Sequence, residues 1–407
     1  MQQYEIDHLN YVLDHAGECT VLLKSDGKFP LEKPGKIAAF GAGVRYTVKG
    51  GTGSGEVNTR ETYTIEQGLE RSGFEITSKK WLDAYDKVRA EAKKEFIKKI
   101  KAEAKKEHQN AVMYAMGKNM TEPDHNLAIP VEGDTAIYVV SRMSGEGSDR
   151  APVEGEVLLA KSEIRDILKL NKKYDRFMLV LNVGGVVDLS PVMEVSNILI
   201  LSQLGIDNGR ILADILTGKQ NPSGKLTTTW AAWDEYSKEG SFGEWDETRY
   251  KEGIYVGYRY FDTFGKKALF PFGYGLSYTS FELKTDEVNA KGDVISVRTT
   301  VKNVGKFSGK EVVQVYLSKP EGKLDQPYQE LVGYTKTDLL EAGEEQTVSA
   351  EFKLSDCASY DTEKEAYVLE EGMYYVRVGN SSVSTKVEAA FPLDRTVQTL
   401  KAKNCLG

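Results

Sequence analysis

The 407-residue sequence predicts an α/β sandwich, meaning a mostly parallel sheet with helices on both faces, followed by a smaller all-β sandwich. Two observations carry this prediction. Over the first two thirds of the chain, short continuous apolar runs alternate with helical patterns, which is typical of a parallel sheet covered on both faces. After about residue 282, apolar and polar residues alternate with period two between glycine-containing turns, which is typical of a β-sandwich.

The first part contains apolar runs of strand length and segments with helical periodicity. The long helix candidate has one apolar face, because Val88, Ala92, Phe96 and Ile100 recur at i+4 spacing. Its lysine-rich remainder predicts a solvated face. The strand candidates are 36–41, 74–77, 135–142, 176–185 and 198–205, and the helix candidates are 64–73, 81–108, 156–170 and 209–219.

An aromatic-rich segment joins the two parts. It holds 11 aromatic residues in the 32 positions of Tyr250–Phe281. These aromatics predict either a packing segment between domains or a sugar-stacking surface, and the composition favours packing. We divide the chain into an N-terminal segment (1–16), the α/β domain (17–249), the aromatic-rich segment (250–282), the β-sandwich (283–395) and a linker or tail (396–407).

Composition excludes several classes of protein. The net charge of -8 argues against nucleic acid or an anionic membrane as the main partner. No apolar run reaches the roughly 18 residues of a membrane span, and the N-terminus lacks the pattern of a signal peptide. The three cysteines are widely spaced and the four histidines show no ligand spacing, which predicts free thiols and no metal centre. We therefore expect a cytoplasmic protein.

In an open parallel sheet, ligands bind outside the carboxyl ends of the strands. The loops that follow the predicted strands here should therefore share one edge, which brings Arg45, Lys49, Glu146 and Asp149 within reach of a common cleft. Glu146 stands between two glycines. It is either an exposed turn residue without function or a general acid/base on a mobile loop.

The glycine-rich stretch "GGTGSGE" invites comparison with nucleotide-binding loops. It lacks the Lys-Ser/Thr ending of a P-loop, and "GAGVRY" carries Tyr46 where the dinucleotide fingerprint has its third glycine. Nucleotide binding is therefore disfavoured. Glycosidic cleavage needs two carboxylates, one on each side of the scissile bond, and this chain offers one good candidate.

The segment "SRMSGEGSDR" (141–150) resembles the acid/base loop of glycoside hydrolase family 3, the β-glucosidase family. "CTVLLKSDGKFPLEKPGKIAAFG" and "GKQNPSGKLTTTW" resemble the beginning and the closing part of that family's α/β-sandwich domain. "NVGKFSGKEVVQVYLSKP" and "ELVGYTKTDLLEAGEEQTV" are similar to its fibronectin type III-like domain. The resemblance covers roughly residues 16–395.

The resemblance implies a retaining exo-β-glycosidase without a cofactor, acting on a β-glucoside or an oligosaccharide. Glu146 falls on the acid/base position of the motif. "VKGGTGSGEVN" resembles a family loop near the sugar, which assigns Lys49, Gly50 and Gly51 to substrate binding beside Arg45 and Asp149.

The sequence departs from the family in one respect, because no (β/α)8 barrel precedes the α/β part. The resemblance implies that the barrel, with its aspartate nucleophile, either follows the fibronectin-like domain in a reversed order or belongs to another chain. We therefore expect this chain alone to be inactive. The alternative is a non-catalytic carbohydrate-binding or assembly module, and a homo-oligomer is left open.

Overall fold

The computed structural model describes residues 2–51, 53–55, 57–116, 118–130, 132–144, 150–237, 247 and 249–402. The chain forms two compact units. The first comprises residues 1–224 and 231–234, and the second comprises residues 225–230 and 235–407. The aromatic-rich segment 250–282 thus groups with the second unit.

The first unit is built on a six-stranded sheet with the order β1-β6-β5-β4-β2-β3. All neighbouring strands are parallel except β1, which pairs antiparallel with β6 at one edge. The predicted α/β sandwich is therefore confirmed. Its strands are β1 (Val21–Lys24), β2 (Lys36–Phe40), β3 (Glu75–Ile76), β4 (Thr135–Arg142), β5 (Arg176–Val183) and β6 (Ile198–Ile200).

The first unit contains six α-helices within the described residues. They are α1 (Gln3–His15), α2 (Ile65–Arg71), α3 (Lys79–Lys106), α4 (Ala111–Ala115), α5 (Lys161–Lys173) and α6 (Asn208–Leu216). Thr64 caps α2 in a capping box with Gln67, since each side chain accepts a hydrogen bond from the other residue's backbone N–H. Helices α2 and α6 pack closely at Gly68 and Gly209, where a Cβ on Gly68 would lie 2.5 Å from the Cα of Gly209.

Three features of this unit differ from the sequence prediction. Residues 3–15 form a helix where an unspecified N-terminal segment was expected, and the predicted helix 156–170 begins only at Lys161. Strand β1 was not predicted as a strand. None of the helices within the described residues is long and apolar enough to cross a membrane.

The second unit is the predicted all-β sandwich. One sheet has the order β10-β9-β14-β15 and the other β11-β8-β7. Buried residues alternate along β8, and the core between the sheets includes Val297, Val315 and Val376. The strands of these sheets are β7 (Phe281–Lys291), β8 (Val294–Asn303), β9 (Val312–Ser318), β10 (Glu330–Lys336), β11 (Glu345–Lys353), β14 (Gly372–Gly379) and β15 (Lys386–Leu393).

The sequence predicted a linker or tail at 396–407, but residues 397–401 form a strand. This strand joins a third small sheet of β12 (Ser359–Asp361), β13 (Ala366–Leu369) and β16 (Val397–Lys401). The aromatic-rich segment contains the short helix α7 (Tyr258–Thr263) and packs within the second unit. Tyr258 stacks on Phe272 at 4.5 Å, and its hydroxyl accepts a hydrogen bond from the backbone N–H of Leu331.

Candidate functional site

The loops at the carboxyl edge of the sheet are tied to one another. Asn182, near the end of β5, donates from Nδ2 to the carbonyl of Val48 at 2.9 Å and to that of Ser202 at 2.7 Å. Gln203 donates to the carbonyl of Arg142 at the end of β4. The predicted shared edge is therefore confirmed for the loops that follow β2, β4, β5 and β6 in the described residues.

Glu146 and Asp149 lie outside the described residues, so their place at this edge stays a prediction. The chain on either side of residues 145–149 is well anchored. The Arg142 Nε donates to the carbonyl of Glu156 at 2.8 Å, and Arg150 pairs with the carboxylate of Glu156. Arg150 also donates to the carbonyl of Val186 in the loop after β5 at 2.7 Å. Arg142 before the segment and Arg150 after it therefore both contact Glu156.

A buried ion pair fixes the end of β4. The Arg142 Nη2 lies 2.6 Å from a carboxylate oxygen of Glu163, and each side chain is only 2% exposed. Burial by itself lowers the pKa of Arg142, but the carboxylates of Glu163, Glu122 and Glu156 together outweigh burial and the net shift is upward. The Glu163 carboxylate also accepts a hydrogen bond from the backbone N–H of Ala160 at the start of α5.

Arg45 lies in the loop after β2, as predicted, but its guanidinium is committed to three carboxylates. It contacts Glu66, Asp83 and Asp86, each at 2.7 Å. The hydrogen bonds to Glu66 above all raise the pKa of Arg45. This network favours a structural role for Arg45, and its assignment to substrate binding stays a prediction.

Lys49 lies at the shared edge, since its carbonyl accepts a hydrogen bond from the backbone N–H of Gly205. Its ammonium donates to the carbonyl of Val57 at 2.6 Å. Gly50 and Gly51 follow it and are half-buried. The contact with sugar that the resemblance assigns to these three residues is untested.

Sequence reasoning missed a second polar group beside this edge. The Arg89 guanidinium on α3 lies over the ring of Tyr46 at 4.3 Å and pairs with the buried carboxylate of Glu122 at 2.6 Å. Nothing in the sequence marks Glu122, because it lies in a stretch without helical or strand periodicity. Only the packing of that stretch against α3 brings the two residues together.

These residues border a cavity of about 690 Å³. It lies between the middle of α3, the segment 118–122 and the end of β4. Met143 and Glu156, on the two sides of the segment 145–149, both line it. Within the described part of the chain, no three His, Cys, Asp or Glu side chains are arranged to hold a metal ion.

Comparison with known proteins assigns the family. The glycosyl hydrolase family 3 C-terminal domain matches residues 20–278, and a fibronectin type III-like domain matches residues 311–382. The α/β sandwich and the β-sandwich are therefore those of a glycoside hydrolase. The chain belongs to glycosyl hydrolase family 3.

The relatives are β-glucosidases. Beta-glucosidase A of Butyrivibrio fibrisolvens is 36% identical over 98% of this chain and 53% of its own length. A beta-glucosidase of Ruminococcus albus is 34% identical over 96% of this chain and 41% of its own length. The structure of beta-glucosidase 3B from Thermotoga neapolitana in complex with glucose matches with a TM-score of 0.80 and 34% identity, covering 98% of this chain and 56% of that one. The chain thus spans about half the length of these relatives.

Proposed function

We propose that this chain is the α/β-sandwich and fibronectin type III-like part of a retaining, exo-acting β-glucosidase that removes terminal β-D-glucosyl residues. The observation that carries the proposal is the match of nearly the whole chain to proteins named β-glucosidases at 36% and 34% identity. The remaining half of those relatives corresponds in this proposal to a (β/α)8 barrel, in the same polypeptide or on another chain.

In this proposal Glu146 is the acid/base. It first protonates the glycosidic oxygen of the leaving group while an aspartate of the barrel attacks the anomeric carbon. It then takes a proton from the water that hydrolyses the glycosyl-enzyme intermediate. The anchoring of Arg142 and Arg150 at Glu156 supports this role, because it ties the chain on both sides of Glu146 to the carboxyl edge of the sheet. The free thiols Cys19 and Cys357 support action in a reducing compartment such as the cytoplasm.

The experiment that tests the proposal compares the purified chain alone with the chain mixed with, or fused to, the aspartate-bearing barrel. We expect hydrolysis of 4-nitrophenyl β-D-glucoside only when both parts are present. Hydrolysis by the chain alone, abolished by changing one of its own acidic residues, would refute the division of roles. The second candidate, a carbohydrate-binding module, rests on the single candidate carboxylate in this chain. Glucose binding that persists without hydrolysis when the barrel is present would favour it.

A further inference from the structure

The cavity beside the end of β4 has the size of a small-molecule site. Its volume of about 690 Å³ falls within the roughly 300–1,000 Å³ that is typical of ligand pockets. It is lined by residues of the first unit only. Its size, and its lining by the residues on either side of the proposed catalytic segment, make it a candidate ligand-binding site.

One wall of the cavity is apolar. The apolar face of α3 reaches the core at Ile100, which is 6% exposed, but its neighbours Phe96 and Ile97 line the cavity instead. Ile97 is 42% exposed, and Met120 in the segment 118–122 also lines the cavity. Covering this apolar wall with a ligand removes it from water, which favours binding.

Arg89, on the same face of α3 as Lys93 and Ile97, adds a flat, rigid group to the lining. The Arg89 guanidinium lies 4.3 Å from the centre of the Tyr46 ring, and its pairing with the buried Glu122 holds it in place. Planar groups of this kind stack favourably on aromatic rings. The apolar side chains and this planar guanidinium together suit a flat aromatic ligand.

The charge around the cavity is positive, although the whole chain carries -8. The two acidic residues that line it are paired, Glu122 with Arg89 and Glu156 with Arg150. Lys93 at the rim makes no ion pair within the described residues, and the Lys118 ammonium lies over the ring of Tyr114. The Lys93 ammonium at the rim favours an anionic ligand.

We propose that this cavity receives the leaving group of the substrate and selects a planar aromatic group that bears a carboxylate. The link to the leaving group rests on the proposed function, because Met143 and Glu156 flank the segment that holds Glu146. The preference for an aromatic carboxylate rests on the cavity alone. The two parts can therefore fail separately.

The test is calorimetric titration of the 407-residue chain with 4-hydroxybenzoate, phenol and glucose. We expect 4-hydroxybenzoate to bind more tightly than phenol, and phenol more tightly than glucose. Ile97→Asp and Lys93→Glu should each weaken 4-hydroxybenzoate by roughly tenfold or more, because one places a charge on the apolar wall and the other reverses the rim charge. Lys101→Glu on the same helix lies outside the cavity lining and should leave the Kd unchanged.

Three results would overturn the inference. The first is the absence of 4-hydroxybenzoate binding to the chain at millimolar concentration. The second is binding that Ile97→Asp and Lys93→Glu change no more than Lys101→Glu does. The third is displacement of 4-hydroxybenzoate when the barrel is added, because the barrel would then occupy the cavity. Since none of these measurements depends on hydrolysis, each outcome is independent of whether Glu146 is the acid/base.

Discussion

The side chain of Asn182 binds both polar groups of the Val48 backbone. The N–H of Val48 donates to Asn182 Oδ1 at 2.7 Å, and Asn182 Nδ2 donates to the Val48 carbonyl at 2.9 Å. Strand β4 lies between β5, which carries Asn182, and β2, which precedes Val48. The loop after β2 must therefore pass the end of β4, the strand from which the segment 145–149 departs.

We expect Asn182→Leu to destabilise the first unit by about 1–3 kcal/mol, because it leaves the buried N–H of Val48 without a partner. Urea unfolding would measure this loss. The matched control is Asn289→Leu on the exposed face of β7, for which we expect a change within about 0.5 kcal/mol. Equal losses in both variants would show that the hydrogen bonds of Asn182 do not hold the edge together.

The buried pair of Arg142 and Glu163 gives a second prediction. Arg142→Met leaves a carboxylate buried without its partner and should cost about 3–5 kcal/mol of unfolding free energy. The double variant Arg142→Met/Glu163→Gln should recover part of that loss, because the remaining amide is neutral and can still accept from Ala160.

An exposed pair provides the control for this double-mutant cycle. Lys172 and Glu194 lie 3.7 Å apart with side chains 69% and 53% exposed, so Lys172→Met should cost less than about 1 kcal/mol. A double variant as unstable as Arg142→Met alone would mean that the uncompensated charge is not the source of the loss.

The sequence predicted β4 at 135–142 with the bounds that the structure has, because a long apolar run between polar turns is a local signal. It misplaced the start of α5, because residues 150–159 are held in place by contacts to other elements: Arg142 of β4 donates to the carbonyl of Glu156, and Arg150 donates to the carbonyl of Val186. Such long-range contacts leave no periodic pattern. The strand β16 was missed for the same reason, because it exists by pairing with β13.

The candidate site shows the same limit. The carboxyl-edge rule places the four loops together from the sequence alone, since it depends only on strand order and direction. The rule does not predict that the Arg45 guanidinium forms ion pairs with Asp83 and Asp86, which lie on a helix about 40 positions later. Side-chain partners across long sequence separations are set by tertiary packing, and the pair of Arg89 and Glu122 was invisible for this reason.

His125 gives a prediction about pH. It is buried edge-on against the stacked rings of Trp81 and Tyr85, and its Nε2 lies 3.8 Å from an oxygen of the buried Asp166. Burial lowers the pKa of His125, and Asp166 offsets this only in part. Arg165 lowers that pKa further, whereas Asp124 and Glu163 raise it.

Because the folded pKa of His125 is below the unfolded value of about 6.5, the folded state binds fewer protons, and stability is lost as the pH falls below that value. Asp166 acts in the opposite direction, since burial raises its pKa and protonation favours the folded state. We expect the stability of the wild type relative to His125→Gln to fall by up to about 1.4 kcal/mol per pH unit below pH ~6.5. If the unfolding free energies of the two proteins differ by the same amount at every pH between 5 and 8, this prediction is wrong.

The last prediction concerns Glu146 in the enzyme reconstituted with its barrel. A glycoside with a poor leaving group needs a proton on the departing oxygen, whereas a 4-nitrophenyl glycoside needs little help. Glu146→Gln should therefore slow cellobiose hydrolysis by about 10²–10⁴-fold and slow cleavage of the 4-nitrophenyl glucoside far less. Added azide should partly restore turnover of the activated substrate, because it replaces the water that needs a general base. The control, Glu154→Gln, changes an exposed glutamate that pairs with the exposed Lys161 and should leave both rates unchanged. Equal losses on both substrates without any effect of azide would exclude Glu146 as the acid/base.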